Sequence, residues 1–242
     1  MQKRSQKQLW IYMQVLPSKR TFYVLDLDRC LANTDKLFAL FEYAVLQEEV
    51  LGKEVLDDLR EAMERTRGSF DVLTHLREYL ASSGQQEMLL LIKDTFLKAS
   101  RDYDFFEPGA RELLQFLSDS ALPFGILTYG GKIWQQMKLQ AMGLDTTPHI
   151  ITDIQAKGKI IAGWKQPDGE FVIPEELGGG IFETVVLVDD KFVSFEGLPD
   201  EAFGIHVLAK NALLASDTLP SHVAQVSNMS EVEALLKDSI SV

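Results

Sequence analysis

Two aspartates separated by one residue follow an apolar run near the start of the chain. Residues 22–25 are apolar, and Asp26 and Asp28 come directly after them. Such a run is typical of a buried parallel strand, which delivers side chains to the sheet edge where ligands bind. In an extended chain these two carboxylates lie on one side and repel each other. A hard divalent cation such as Mg²⁺ removes that repulsion, so the pair predicts a metal site; the alternative is a strand end with solvated charges.

The composition narrows the class of protein. The chain has 242 residues, 46% apolar and 25% charged, which is typical of a globular protein with one core, or with a core and a smaller domain. Its net charge of −12 argues against nucleic acid and anionic membranes as partners. The apolar segment 9–16 is too short to span a bilayer and lacks a cleavage site, so we predict no signal peptide or anchor. The single cysteine, Cys30, indicates a reducing compartment, and we expect a cytoplasmic protein.

A helical block follows the first predicted strand. Apolar residues at helical spacing predict helices within residues 37–50, 53–66, 70–81 and 87–97. Four such helices form a small bundle that buries its own centre. We therefore predict an inserted helical unit over residues 34–104.

Beyond residue 105, strand and helix signals alternate. Strands are predicted at 123–127, 149–152, 182–188 and 202–208, and helices at 110–117, 132–142 and 230–237. This alternation predicts parallel βαβ units. The predicted fold class is α/β, with a doubly wound, Rossmann-like parallel sheet formed by residues 1–33 and 105–242.

The predicted strand ends carry polar residues in a fixed order. The segments are VLDLD, GILT, a lysine within 157–165, and VVLVDD. In this order they resemble the four motifs of the haloacid dehalogenase superfamily of phosphohydrolases. The resemblance covers about residues 20–33 and 105–210, and it implies that the helical insertion is a cap that selects the substrate. A response-regulator receiver domain has similar residues in another order and no helical insertion.

The resemblance implies an acid-rich catalytic centre. Asp26 would be the nucleophile that forms an aspartyl phosphate, and Asp28 the acid for the leaving alcohol and the base for water. Asp189, together with Asp26 and the Asp28 carbonyl, would hold Mg²⁺. Asp190 would either bind the metal through water or anchor the lysine.

The resemblance also implies a phosphate cradle and one lysine. Thr128 would hold phosphate oxygens by its hydroxyl, and Tyr129 and Gly130 would do so by backbone N–H groups at a helix start. We expect Lys157 to be the site lysine, because it resembles the family form in which lysine opens a helix. Two other lysines remain open as alternatives, Lys159 and Lys165.

Two residues depart from the family pattern, and two arginines of the insertion are candidate substrate-binding residues. Arg29 stands where the family often has Gly, and its side chain reaches either substrate or solvent. Cys30 stands where the family has Thr or Val, and it is either a small buried substitute or an oxidation-sensitive thiol. Arg65 and Arg67 adjoin a glycine break between helices and are candidates to bind a substrate anion, with ordinary surface charge as the alternative.

The predicted function is a Mg²⁺-dependent phosphoric monoester hydrolase acting on a small phosphorylated metabolite. Two alternatives remain: a phosphomutase or phosphotransferase of the same fold, and a catalytically idle member that binds a ligand or a protein. A dehalogenase is disfavoured, because Asp28 and the metal site would be superfluous there. The expected partner is a small phosphorylated substrate, and the sequence leaves its identity and the oligomeric state open.

Overall fold

The computed structural model describes residues 20–48, 52–66, 71–208 and 220–240, and its centre is a six-stranded sheet. The strands are β1 (Thr21–Leu25), β2 (Phe124–Tyr129), β3 (His149–Thr152), β6 (Thr184–Asp189), β7 (Phe203–Val207) and β8 (Val223–Val226). Their order is β3-β2-β1-β6-β7-β8, and every neighbouring pair is parallel. The predicted α/β fold with a parallel sheet is therefore confirmed.

Eight helices surround this sheet in the described part of the chain. Four lie between β1 and β2: α1 (Thr34–Leu46), α2 (Gly52–Thr66), α3 (Val72–Ser82) and α4 (Met88–Ala99). The other four are α5 (Ala110–Asp119), α6 (Lys132–Met142), α7 (Lys157–Ala162) and α8 (Met229–Ile240). None of the helices in the described ranges is long and apolar enough to cross a membrane.

The central position of β1 decides where the site lies. All five of its residues are buried, as the apolar run predicts for a strand covered on both faces. Leu25, its last residue, pairs with Ile126 of β2 on one side and Val188 of β6 on the other. The carboxyl ends of these three strands therefore meet at one edge of the sheet.

Two strand predictions need correction. The strand predicted at 182–188 begins at Thr184, because the chain turns where the Glu183 N–H donates to the Arg20 carbonyl oxygen at 2.9 Å. The preceding pair forms β5 (Ile181–Phe182), which runs antiparallel to β4 (Phe171–Val172) in a separate two-stranded sheet. Strand β8 was not predicted at all.

The helical insertion packs on the same apolar cluster as one face of the sheet. The Trp134 ring of α6 lies 5.2 Å from the Phe41 ring of α1 and 5.7 Å from the Phe96 ring of α4. These three rings belong to one buried cluster that also contains Tyr23 and Leu25 of β1. Helix α6 thus connects the insertion to the edge of the sheet where the acidic residues lie. The domain boundaries at residues 33 and 105 stay a prediction.

Candidate active site

A tight turn places Asp26 at the carboxyl edge of the sheet. The Asp26 N–H donates to the Val188 carbonyl oxygen at 2.9 Å, which continues the ladder with β6. The chain then reverses, because the Ala32 N–H donates to the Leu27 carbonyl oxygen at 2.7 Å. Arg29 lies in this turn with a φ of 60°, the left-handed region that favours glycine. The turn therefore favours glycine at this position, and this chain makes it with Arg29.

Lys157 is the lysine that the structure brings to Asp26. Its side chain is 2% exposed, and its Nζ donates to Asp26 Oδ1 and, at 2.6 Å, to Asp189 Oδ2. Burial opposes the charged form, but these two carboxylates outweigh it and raise the pKa of Lys157. The other two candidates lie elsewhere: Lys159 pairs with Glu196 and Lys165 with Glu201.

The lysine reaches the site because α7 packs closely on the chain that follows β6. A Cβ at Gly158 would lie 2.6 Å from the Leu198 backbone nitrogen and 2.7 Å from the Glu196 carbonyl oxygen. Only glycine allows this approach. The sequence Lys157-Gly158 is therefore a local requirement for placing the ammonium beside Asp26.

Three carboxylates at this edge, those of Asp26, Asp189 and Asp190, interact with the one buried ammonium of Lys157. Burial, and the neighbouring charges of Asp189 and Asp190, raise the pKa of Asp26 even though Lys157 opposes the shift. Burial and Asp189 likewise raise the pKa of Asp190 to about 6. One carboxylate oxygen of Asp190 is buried without a hydrogen-bond partner within the described residues. A divalent cation would relieve both the repulsion and the unpaired oxygen, so these residues fit a hard metal ion.

A group of three possible metal-ligating residues in the described part of the chain contains two of the predicted ligands. One ligand atom each of Asp26, Cys30 and Asp190 lie within 4.8 Å of one another. The two carboxylate oxygens of Asp189 instead accept from Lys157 and, at 2.8 Å, from the Lys191 N–H. Asp26 and Asp190 could hold a metal ion as they stand, whereas the role of Asp189 as a ligand stays a prediction.

The predicted phosphate cradle lies at the end of β2. Thr128 is fully buried, and its hydroxyl has no hydrogen-bond partner among the residues that the structure describes. The Gly130 N–H donates to the Thr152 carbonyl oxygen at 3.1 Å, so it is committed to the backbone. The Tyr129 carbonyl oxygen accepts from Gln135 Nε2 at 2.8 Å. The Thr128 hydroxyl, unlike the Gly130 N–H, is therefore available to bind a phosphate oxygen.

Asp28 has surroundings that the sequence did not predict. Lys138 Nζ lies 2.5 Å from Asp28 Oδ1 and 2.7 Å from Oδ2. Gln135 Nε2 donates to Oδ2 at 2.9 Å, and the Thr34 hydroxyl donates to Oδ1 at 2.9 Å. Burial opposes the charge on Asp28, but Lys138 and these donors lower the pKa of Asp28 to about 2. A usable signal existed, since Lys138 lies one turn after Trp134 on a predicted helix and so shares its apolar face.

A cavity of about 270 Å³ is lined by Thr34, whose hydroxyl donates to Asp28. Its lining includes Arg29, Thr34, the Phe38 and Trp134 rings, and the acidic side chains of Asp35 and Glu42. Arg29 therefore borders a ligand-sized space. The predicted anion-binding Arg67 lies outside the described residues, and for Arg65 the structure describes only the helical backbone of α2.

Cys30 lies inside the turn rather than at the surface. The residue is fully buried, and burial together with the neighbouring Asp26 and Asp189 raises the pKa of its thiol well above the ordinary value. A buried neutral thiol reacts slowly with oxidants, since the thiolate is the reactive form. Of the two alternatives left open by the sequence, the structure favours the small buried substitute.

Comparison with known proteins shows which solved structures share this fold. No family model matches the sequence, and no curated protein matches it. Among solved structures, a protein described as a haloacid dehalogenase-like hydrolase from Burkholderia xenovorans superposes with a TM-score of 0.61 at 19% identity, over 91% of this chain and 98% of that one. The HAD-hydrolase YfnB from Bacillus subtilis, described as bound to magnesium, gives a TM-score of 0.54 at 13% identity, over 90% and 99% of the two chains.

A third similar structure is described with a different activity. A protein from Thermotoga maritima described as a β-phosphoglucomutase gives a TM-score of 0.53 at 16% identity, over 90% of this chain and 99% of that one. Identities this low establish the fold and not the substrate. The predicted resemblance is thus confirmed at the level of the fold: this chain has the fold of the haloacid dehalogenase-like hydrolases.

Proposed function

We propose that this chain is a Mg²⁺-dependent phosphatase that hydrolyses a small phosphorylated metabolite through an aspartyl phosphate on Asp26. The observation that carries the proposal is the cluster of Asp26, Asp190 and Lys157 at the carboxyl end of β1. The neighbouring strand β2 ends there with a buried Thr128 hydroxyl that has no partner among the described residues. Phosphoryl transfer needs a positioned oxygen nucleophile and groups that neutralise the phosphate charge, and this cluster offers both.

The roles of the residues follow from their contacts. Asp26 is the nucleophile, because it is the buried carboxylate at the end of β1 that Lys157 orients. The Thr128 hydroxyl donates to a phosphate oxygen, and Lys157 supplies positive charge. Asp26 and Asp190 would hold Mg²⁺, which when bound neutralises charge on the transferring phosphoryl group. Asp28 is the second carboxylate, for proton transfer with the leaving group and with water.

The cavity lined by Thr34 and Arg29 supports a small substrate. Its volume of about 270 Å³ lies just below the usual range for small-molecule pockets, roughly 300–1,000 Å³. Thr34 lies in its lining and also donates to Asp28, so one side chain separates the cavity from that carboxylate. We propose this cavity, with Arg29 in its lining, as the place for the leaving group.

The test is phosphate release over a panel of phosphorylated metabolites, with Mg²⁺ and with EDTA. We expect Mg²⁺-dependent release from at least one member of the panel and none from the Asp26→Asn variant. Asp94→Asn, at an exposed position of α4, is the matched control and should keep the unmodified rate. Absence of release from every ester would favour the idle binding alternative. Transfer to an added alcohol in preference to water would favour a phosphotransferase or phosphomutase.

A further inference from the structure

A buried lysine in the site has no role in the mechanism above. Lys138 is 1% exposed, and both of its hydrogen bonds go to the oxygens of Asp28. Taking a charge out of water is costly, and replacing a buried ion pair by apolar side chains is often neutral or stabilising. Stability of the fold therefore does not account for a lysine at this position.

The lysine is one of a set of donors that surround a single carboxylate. Gln135 precedes Lys138 by three residues on α6, so both side chains lie on one face of that helix. Gln135 Nε2 donates to Asp28 and to the Tyr129 carbonyl oxygen. Because both partners are acceptors, the orientation of the amide is fixed. With Thr34, each oxygen of Asp28 has two donors, which holds the side chain in one orientation.

The helix that carries these donors is itself held on both sides. Trp134, one turn before Lys138, packs its ring on Phe41 and Phe96, and Lys138 Nζ lies 5.5 Å from the Trp134 ring centroid. Helix α6 begins three residues after β2 ends, so it is also tied to the segment that carries Thr128. The orientation of Asp28 is therefore set by α6 and not by the turn after β1 alone.

We propose that Lys138, assisted by Gln135, is a positioning residue that fixes the Asp28 carboxylate for its part in the reaction. This inference rests on the proposed phosphatase function. Lys138 acts only through Asp28 and touches neither phosphate nor leaving group. Removing Lys138 should therefore slow turnover and leave substrate binding nearly unchanged. It should do nothing further once Asp28 can no longer act.

A double-mutant cycle between the two residues tests the proposal. Lys138→Met, Asp28→Asn and the double variant are compared by steady-state kinetics on a chromogenic aryl phosphate with Mg²⁺. We expect Lys138→Met to lower kcat about 10²-fold and to change KM less than about threefold. In the Asp28→Asn background the same change should lower kcat less than about twofold. Lys138→Arg, which keeps the charge, should recover at least about tenfold over Lys138→Met.

Controls separate positioning from packing. Lys165→Met removes a lysine that pairs with Glu201 at 2.6 Å outside the site, and its kcat should stay within about twofold of the unmodified chain. Should Lys138→Met fail to fold by circular dichroism, the same cycle is decided with Lys138→Arg and with Gln135→Met, whose losses should also vanish in the Asp28→Asn background.

The outcomes are distinct. Losses that add in the double variant, or a loss confined to KM, would overturn the positioning role and assign Lys138 to packing or to direct phosphate binding. A Lys138→Met variant as active as the control would overturn it as well. No hydrolysis by the unmodified chain would instead overturn the proposed function, and the positioning role with it.

Discussion

At the scale of single residues, the two carboxylates after β1 have opposite surroundings. Asp26 is buried among other carboxylates with one ammonium beside it, and burial raises its pKa. Asp28 has donors on both oxygens, and Lys138 lowers the pKa of Asp28 to about 2 against the effect of burial. Groups whose surroundings move their pKa values apart are suited to different tasks. The lowered pKa keeps Asp28 ionised at neutral pH, which suits its proposed role as the base for water. The assignment of the nucleophile to Asp26 depends on its position beside Lys157 and not on its pKa.

Substituting each carboxylate separately tests that assignment. Asp26→Asn removes the attacking oxygen, so no phosphoenzyme should form and turnover should fall to background. Asp28→Asn should cost about 10²–10⁴-fold on an alkyl phosphate, whose leaving oxygen needs a proton. With an aryl phosphate it should still phosphorylate Asp26 and accumulate the intermediate. Rapid-quench trapping and mass spectrometry measure this, and label on a residue other than Asp26 would refute the assignment.

The thiol of Cys30 offers a second test at this scale. Because the side chain is fully buried and its pKa is raised by burial, we expect no reaction with a thiol-directed chromogenic disulfide in the folded chain. After denaturation, one equivalent should react within seconds to minutes. Fast labelling of the folded chain, with loss of activity, would instead support the oxidation-sensing alternative.

At the scale of elements, local patterns were predictable and long-range contacts were not. The bounds predicted for α6, residues 132–142, are those observed, because the helix ends at Gly143 in a left-handed conformation with a φ of 68°. The contacts of Gln135 and Lys138 with Asp28 join residues 107 and 110 positions apart. No periodicity in the sequence encodes such a contact; it appears only once α6 is packed against the turn after β1.

The contact between the helical insertion and the segment after β2 could not be predicted from the sequence either. Asp71 caps α3 by accepting from the Thr74 N–H at 3.2 Å and from the Thr74 hydroxyl at 2.7 Å. A Cβ at Gly131 would overlap its carboxyl group, so this acid lies against the start of α6. The helical insertion therefore presents a carboxylate beside the end of β2, where the proposed phosphate would bind.

Removing the charge of Asp71 should strengthen the binding of an anionic substrate. Asp71→Asn keeps a side-chain oxygen that can cap α3, so the fold should be retained. We expect KM for a phosphate ester to fall about two- to tenfold, because a like charge beside the phosphate is lost, with kcat changed little. The comparison is made by steady-state kinetics at low ionic strength, and the effect should shrink in high salt. An unchanged or raised KM would mean that Asp71 lies too far from the bound phosphate to affect it.

At the scale of the whole molecule, the two acidic pairs, Asp26/Asp28 and Asp189/Asp190, meet at one edge of the sheet. The sequence predicted the net charge of −12 and the two acidic pairs, but not which carboxylates would lack partners. That depends on how β1 and β6 align, since their ends place Asp26, Asp189 and Asp190 together around Lys157. Without a bound metal ion, the repulsion between these carboxylates opposes folding at neutral pH. The stability of the whole chain should therefore depend on pH and on Mg²⁺ together.

The raised pKa of Asp190 predicts in which direction the stability of the fold changes with pH. Its pKa is raised from an unfolded value near 4 to about 6 by burial and by Asp189. Between about pH 4 and 6 the folded chain therefore binds more protons than the unfolded chain, and stability falls as pH rises through this window. In EDTA, the stability difference between Asp190→Asn and the unmodified chain should be smaller near pH 4.5 than at pH 7. At pH 7 the variant should unfold a few degrees higher, reflecting on the order of 2 kcal/mol.

Adding Mg²⁺ should reverse the order of the melting temperatures of these two proteins at pH 7. At pH 7 the ion binds the folded chain alone and raises the melting temperature of the unmodified protein, whereas Asp190→Asn, with one ligand fewer, gains less. Thermal unfolding followed by circular dichroism at pH 4.5 and 7, with EDTA or Mg²⁺, measures all four states, and Asp94→Asn controls for the loss of one negative charge. Identical Mg²⁺ responses of the unmodified chain and Asp190→Asn would remove Asp190 from the metal site, because a ligand that can be lost without effect does not bind the ion.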